Sequence, residues 1–502
     1  MNDKQTVIII GAGIGGLFCG AILSKEGYRV KVFEQHTKIG GGLHQFIRNG
    51  VEFETGMHVI GAFHPSGVLY RICSYLGIMG QLDIMPLDDD CYELLHLGDD
   101  KKKYAIPKGG KQFVEKLGKQ FPEEKENIKR YLDAVYHICS KVKLYNLKYP
   151  DDNHLRQFEE FNISVGDFIN SFTENERLRT IMAFNNPLYA GDRVRTPAYI
   201  HALISKFYLE GASRFVGGSA QLADALTNVI TEAGGEVLAG NGVAHIEIED
   251  QKVQFIKTVK GEEHTGDFYI SSIHPSSLFK LLDRDKIQKS YWKRIDSIPN
   301  SYSAFSLYII FKPESFRFFN YTYYYLENEE ATWQHENYTE ETWPRGMMFI
   351  TPPIKDQGEF AEKMIVNCIM KFETVKQWEN TFTGKRGTDY EDFKKRYENK
   401  IIDKLEKIYP DIRSCIKKVY SSSPLTIRDY YNQVDGALYG VKKDCTQMAL
   451  SHIPVRTKLS NLLLTGQNIN LHGILGVPLT AINTCAELVG INYLIDRINE
   501  AE

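Results

Sequence analysis

Apolar runs and polar stretches along the chain predict a sequence of elements before any motif is considered. Residues 6–10, TVIII, form a short continuous apolar run of the kind found in strands buried on both faces. A helix-like segment, LFCGAILSKEG, follows at 17–27, and YRVKVF at 28–33 reads as a second strand. Between 111 and 143 apolar residues recur at three- and four-residue spacings, which predicts amphipathic helix. Residues 234–262 read as short strands separated by turn signals, and FYISSIHP at 268–275 as a strand returning to the first sheet. Strand-like runs recur at 301–312, 316–326 and 365–372, and 462–490 reads as a strand, a Thr-Gly turn and a helix.

The first three elements are joined by Gly11-Ala12-Gly13-Ile14-Gly15-Gly16, a G-x-G-x-x-G, and the second strand ends at Glu34. Strand, turn, helix, strand and terminal acid together predict a dinucleotide-binding unit, which a glycine-rich turn alone does not. Gly11 permits the tight turn, Gly13 lets backbone approach a pyrophosphate, and Gly16 lets helix and strand pack closely. The helix start offers N–H groups and a partial positive charge to phosphates. Glu34 accepts from both ribose hydroxyls and repels a 2′-phosphate.

Composition narrows the classes. At 502 residues the chain has room for two to four domain-sized units. A net charge of −4 gives no basic balance for nucleic acid. The eight cysteines are scattered without a C-x-x-C pair, so neither a metal site nor a disulfide framework is expected, and buried thiols in a reducing, cytoplasmic compartment are. The stretch 7–23 is apolar but holds five glycines, and no cleavage pattern follows it. The stretch 473–495 is interrupted by Pro478, Asn483, Glu487 and Asn492, which defeats a spanning helix. A soluble or peripheral protein is expected. The lysine-rich region 111–143 is the candidate for contact with anionic lipid, although Glu115, Glu123, Glu124, Glu126 and Asp133 break up its charge.

After Glu34 come a glycine triplet, at 40–42, and the run Glu54-Thr55-Gly56-Met57-His58. This arrangement resembles the flavoprotein superfamily of amine oxidases and protoporphyrinogen oxidase. More closely, it resembles the phytoene desaturase (carotenoid dehydrogenase) and all-trans-retinol 13,14-reductase (retinol saturase) families. The segments 214–222, 234–275 and 462–490 extend the likeness along the chain. It implies FAD, held by Gly11, Gly13, Ile14, Gly15, Gly16, Glu34, Gln35, Gly41, Gly42, Leu43, Gly56, Met57, His58, Val243, Gly466, Gln467, Asn468 and Leu475. Val243 matches a backbone contact to adenine. Gln467 and Asn468 stand where many relatives have an aspartate for the ribityl chain; both amides donate and accept.

The implied fold class is α/β: a Rossmann-type FAD-binding domain with an interleaved α+β substrate domain. FAD-binding parts are expected at 1–85, 206–299 and 421–502, a helical cap at 86–205, and an antiparallel sheet at 300–420 facing the flavin with helices outside. The resemblance implies desaturation or saturation of carbon–carbon bonds in a lipophilic isoprenoid, carotenoid or retinoid-like substrate, by hydride transfer at flavin N5. The aromatic run FRFFNYTYYYL at 316–326 suits either an apolar tunnel or an ordinary core. No second G-x-G-x-x-G for a nicotinamide is present, and quinone, oxygen and nicotinamide all stand as electron partners. His44, His58, His472 and His201 are candidates for proton transfer, His58 first.

Two rivals stay open. A flavin amine oxidase-like enzyme needs a lysine and an aromatic pair beside the flavin. A non-catalytic lipid-binding protein like the GDP-dissociation inhibitors of prenylated GTPases lacks intact glycine fingerprints, which this chain has. Purified protein is expected to carry the visible absorbance of oxidised flavin; a colourless protein indifferent to added FAD would eliminate the enzyme.

Overall fold

The computed structural model describes residues 4–56, 58–150 and 161–501. Strand β1 (Thr6–Ile10), helix α1 (Ile14–Lys25) and strand β2 (Arg29–Phe33) form in the predicted order. β1 and β2 pair in parallel, Thr6 opposite Arg29 through Ile10 opposite Phe33. Distant parts of the chain complete a five-stranded parallel sheet: Glu236–Leu238 outside β2, Phe268–Ser271 beside β1, then Leu462–Leu464. Helices cover the sheet, and Thr6–Ile10 and Leu462–Leu464 are nearly continuous apolar runs, whereas Arg29–Phe33 and Glu236–Leu238 carry charged residues. α1 is buried from Gly15 to Ser24 between the helices Ala220–Glu232 and Gly473–Val489. Its Gly20 admits the first of these: a Cβ there would lie 2.7 Å from Ile230 Cδ1.

A second, seven-stranded sheet runs in the order 416–422, 303–311, 363–370, 346–350, 322–326, 93–97, 103–106. One sequence expectation needs correcting here. Region 86–205 is not purely helical: Glu93–Leu97 and Lys103–Ile106 form a hairpin that extends this sheet. The strands between 303 and 422 pair antiparallel with one another, and the hairpin joins them through a parallel pair, Thr322–Leu326 beside Glu93–Leu97. The hairpin's alternation of buried and half-buried positions, ELLHL, is too short to compete with the helical periodicity of the residues that follow it. Those residues do form helices, Gly110–Gln120 and Lys125–Lys141.

Register separates the two faces of this sheet. Ser422, Ser306, Asn367, Met348 and Tyr324 stand opposite one another across five strands and line a large cavity. Their neighbours point the other way. Phe305, Tyr323, Phe349 and Val366 pack against Phe393, Tyr397 and Ile401 of the helix Thr388–Ile408. The run at 316–326 is therefore mostly core: Phe316, Tyr323 and Tyr325 belong to this second layer, and Thr322, Tyr324 and Leu326 reach the cavity. No helix among the described residues is long and apolar enough to cross a membrane. Helix Gly473–Val489 carries Pro478 inside it.

Phe349 is fully buried and stacks on Tyr323 with ring centroids 4.4 Å apart. Phe349→Ala is expected to cost about 3–5 kcal/mol, from lost transfer energy plus a cavity. Chemical denaturation measures this; a loss below about 1 kcal/mol would contradict a close-packed aromatic layer.

Candidate active site

The two glycine clusters meet. Gly13 and Gly40 form a bridge, the Gly40 N–H donates to Ala12 O at 2.8 Å, and a Cβ on Gly41 would sit 3.2 Å from Gly13 Cα. Each glycine has a different physical reason. Gly11 has φ +96°, and a Cβ there would lie 2.7 Å from Ser272 Oγ. A Cβ on Gly16 would lie 2.0 Å from Gly11 O, so this residue is required by packing. At Gly13 and Gly42 a Cβ would meet nothing among the described residues within 4 Å. Those two positions leave bare backbone facing open space, at the start of a helix that no side chain caps.

Glu34 Oε2 accepts from Ala12 N–H and Oε1 from His36 N–H, both at 2.8 Å. Each carboxylate oxygen retains acceptor capacity toward the cavity it lines. Gln35 and Val243 line the same end; a Cβ on the intervening Gly242 would meet Gln35 Cβ at 2.7 Å. At the other end Gly466, φ +94°, touches the first loop: a Cβ on Gly15 would lie 2.9 Å from Gly466 Cα.

Of the predicted site residues, Gly11, Gly13, Ile14, Gly15, Glu34, Gln35, Gly41, Gly42, Gly56, His58, Val243, Gly466, Gln467 and Leu475 line one cavity. Gly16 and Leu43 are buried behind it, and Met57 lies outside the described residues. Asn468 also departs from expectation. Its Oδ1 accepts from the Val441 N–H at 3.1 Å, and its side chain pins that loop instead of lining the cavity.

The histidines separate by environment. His201 lies in the interior between Tyr131 and Tyr189 hydroxyls, at 2.8 and 3.0 Å, away from the cavity, and burial drives its pKa down to about 3. His44 Nε2 lies 3.0 Å from Lys38 O, and burial, then His36, hold it at about 4. His58 is held at both nitrogens: Nδ1 lies 2.8 Å from Glu54 Oε1, and Nε2 3.1 Å from Asn367 Nδ2. Asn367 Oδ1 in turn accepts from Ser306 Oγ at 2.6 Å. His472 lines the cavity, its Nε2 without a partner among the described residues; burial, then the Lys443 charge, hold it at about 4.

Sequence reasoning placed a sheet opposite the flavin but did not say which residues of that far wall face the cavity. Glu93, Tyr208, Tyr302, Tyr324, His335 and Tyr439 all line the cavity, whose volume is about 950 Å³. That is the upper end of the range for ligand pockets, about 300–1,000 Å³. Glu93 is 3% exposed, and burial pushes its carboxyl up to about 8, with the Tyr92 and Tyr324 hydroxyls pulling the other way. The available signal was an acid at an inward position of a short strand, visible only once the hairpin is recognised.

Residues 14–489 match the family of flavin-containing amine oxidoreductases. The chain belongs to that family. It is an FAD-dependent oxidoreductase. All-trans-retinol 13,14-reductase of Rattus norvegicus is 26% identical, covering 98% of this chain and 87% of that protein. Prolycopene isomerase 1 of an Oncidium hybrid cultivar is 23% identical, covering 99% and 85%. An oxidoreductase structure from Methanosarcina mazei shares the fold, with TM-score 0.66 and 17% identity over 95% of this chain and 99% of that one.

The cradle fits the family's cofactor: bare backbone at Gly13 and Gly42 for a diphosphate, and a carboxylate with free acceptor capacity for a ribose. Bound FAD supplies two-electron chemistry; the protein supplies position and surroundings. Gly13→Ala is expected to leave the thermal midpoint of the apoprotein unchanged while weakening FAD binding at least about tenfold, or about 1.4 kcal/mol. Gly16→Ala is expected to destabilise the apoprotein itself by about 1–3 kcal/mol. Flavin titration and thermal melts check both; unchanged FAD affinity in Gly13→Ala contradicts the cradle.

Proposed function

We propose that the protein adds hydrogen to, or removes it from, a carbon–carbon bond of a lipophilic isoprenoid substrate held against FAD. The observation that carries this reading is the continuity of the cavity. One wall is the glycine cradle with Glu34, and the other is the face of the seven-stranded sheet bearing Tyr324, Leu326, Met348 and Ile369. A long apolar molecule gains about 25 cal/mol per Å² on leaving water for such a wall. The relatives whose names refer to retinol and prolycopene align over nearly the whole chain, sheet included.

In this reading Gly11, Gly13, Ile14, Gly15, Gly41 and Gly42 receive the diphosphate, and Glu34 the adenosine ribose, with Gln35 and Val243 beside the adenine. Gly56, Gly466, Gln467 and Leu475 border the remainder of the cofactor. Bound FAD would exchange hydride with the substrate, and placing the reacting carbon against it would be the protein's main contribution, because well-oriented reactants lower barriers by several kcal/mol. His58 serves as a positioning residue: with Glu54 and Asn367 on its two nitrogens, it ties the 54–58 segment to the sheet. For the amine-oxidising alternative, Lys443 is buried against Asn468 O and Ile469 O, each at 3.1 Å, outside the cavity lining, while Lys38 and Lys394 border the cavity.

Anaerobic incubation tests the reading in both directions. Flavin-loaded protein is expected to be bleached by a partly saturated isoprenoid, or its reduced form to be reoxidised by retinol or a longer polyene. Bleaching by amines, with neither polyene reaction detectable, would overturn it.

A further inference from the structure

Addition of hydrogen across a double bond needs a proton as well as a hydride. The cavity lining offers few groups that hold a proton at neutral pH and can release it. His44, His335 and His472 are kept neutral, near 4, by burial. His58 has both nitrogens engaged. Tyr208, Tyr302, Tyr324 and Tyr439 are all raised by burial above the ordinary phenol value of 10. Glu34 is occupied by two backbone N–H groups. Arg48, Arg386, Glu391, Lys394 and Glu398 also border the cavity, but on segments away from Glu93's strand pair.

Glu93 differs from all of these. It sits opposite Thr322 in the parallel strand pair, two residues along from the Tyr324–Met348–Asn367 row, and lines the cavity. It is 3% exposed, and its Oε2 has no hydrogen-bond partner among the described residues. Leaving a buried polar atom without a partner is costly, and the cost is relieved when the group is protonated or meets a ligand. Around it stand Cys91 and Tyr92 on its own segment, Tyr324 on the neighbouring strand and Tyr208 on the helix Ala198–Leu209. Arg214 reaches the same strand pair, but its guanidinium donates to Thr322 Oγ1 at 2.9 Å and not to the carboxyl. With no ion pair to a cation among the described residues, the carboxyl is poised to keep its proton.

We infer that Glu93 is a catalytic residue, the acid that protonates the substrate carbon next to the one receiving hydride. The assignment rests on the isoprenoid reading above. In the saturating direction, hydride with its electron pair comes from reduced flavin and forms one C–H bond. The O–H bond of Glu93 breaks, its proton forms the second C–H bond, and the electron pair of that O–H bond stays on the carboxylate. The carboxylate then regains a proton from water. In the desaturating direction the same carboxylate takes the proton from carbon while hydride leaves to oxidised flavin. A pKa near 8 keeps both forms within reach at neutral pH.

Glu93→Gln keeps the shape and removes the proton. In the flavin-loaded variant, checked for flavin content by its visible spectrum, the polyene reaction that wild type performs is expected to slow about 10²- to 10⁴-fold, the range for general acid–base catalysis. Glu93→Asp is expected to recover part of it. In wild type the saturating rate falls, and the desaturating rate rises, as pH passes through about 8; Glu93→Gln loses that inflection. Infrared spectra of wild type at pH 7 are expected to contain a protonated-carboxyl band that titrates in the same range, shifts in Glu93→Asp and is missing from Glu93→Gln. A Glu93→Gln variant reacting at the wild-type rate, or a carboxyl band unaffected by both substitutions, overturns the role of Glu93 and leaves the isoprenoid reading standing. A wild type inert to every polyene overturns that reading and the role of Glu93 with it.

Discussion

Everything in this molecule that bears on chemistry depends on two stretches of backbone lying against each other without side chains between them. Gly13 and Gly40 bridge directly, and Gly15 lies almost in contact with Gly466 from the far end of the chain. Loops distant in sequence are thereby held at van der Waals distance around one helix start. The Glu34 carboxylate fastens the arrangement by accepting from Ala12 and His36. A methyl group on Gly15 would press on the Gly466 backbone and one on Gly16 on the Gly11 carbonyl, whereas at Gly13 and Gly42 it would extend into the open cavity. The same few residues thus close the fold and open the site.

The seven-stranded sheet does complementary work on the opposite wall. Period-two alternation sends Phe305, Tyr323, Phe349 and Val366 into an aromatic layer and leaves Ser306, Tyr324, Met348 and Asn367 for the cavity. A one-residue slip would exchange the two sets. The register is secured by the packed layer behind it, and also by polar ties at the front, Ser306 to Asn367 and Asn367 to His58. Those ties join the sheet to the 54–58 segment and so fix the distance between the two walls.

The β1–α1–β2 unit was legible because its signals are local: a strand run with four successive apolar residues, six motif positions and a terminal acid in order. The returning strands at 268–271 and 462–464 were legible for the same reason, each being a short apolar run closed by a turn signal. The far wall was not. Tyr323 and Tyr324 are adjacent and chemically identical, and only strand register decides which one faces a ligand. Glu93 belongs to a five-residue strand whose parallel partner lies more than 200 residues away, a pairing that no local pattern encodes. Gln467 and Asn468 look interchangeable in sequence. In the fold the second is consumed by the loop at 440–441, where a Cβ on Gly440 would come within 2.0 Å of Asn468 Oδ1.

A crystal structure of the protein purified with its cofactor decides whether the bare glycine backbone is a cofactor cradle. The FAD diphosphate is expected against the backbone of Gly13 and Gly42, with the adenosine ribose hydroxyls within hydrogen-bond distance of the Glu34 carboxylate and the ring at the open cavity below Tyr324 and Asn367. A diphosphate bound elsewhere, or a Glu34 carboxylate turned from the ribose, would contradict that cradle.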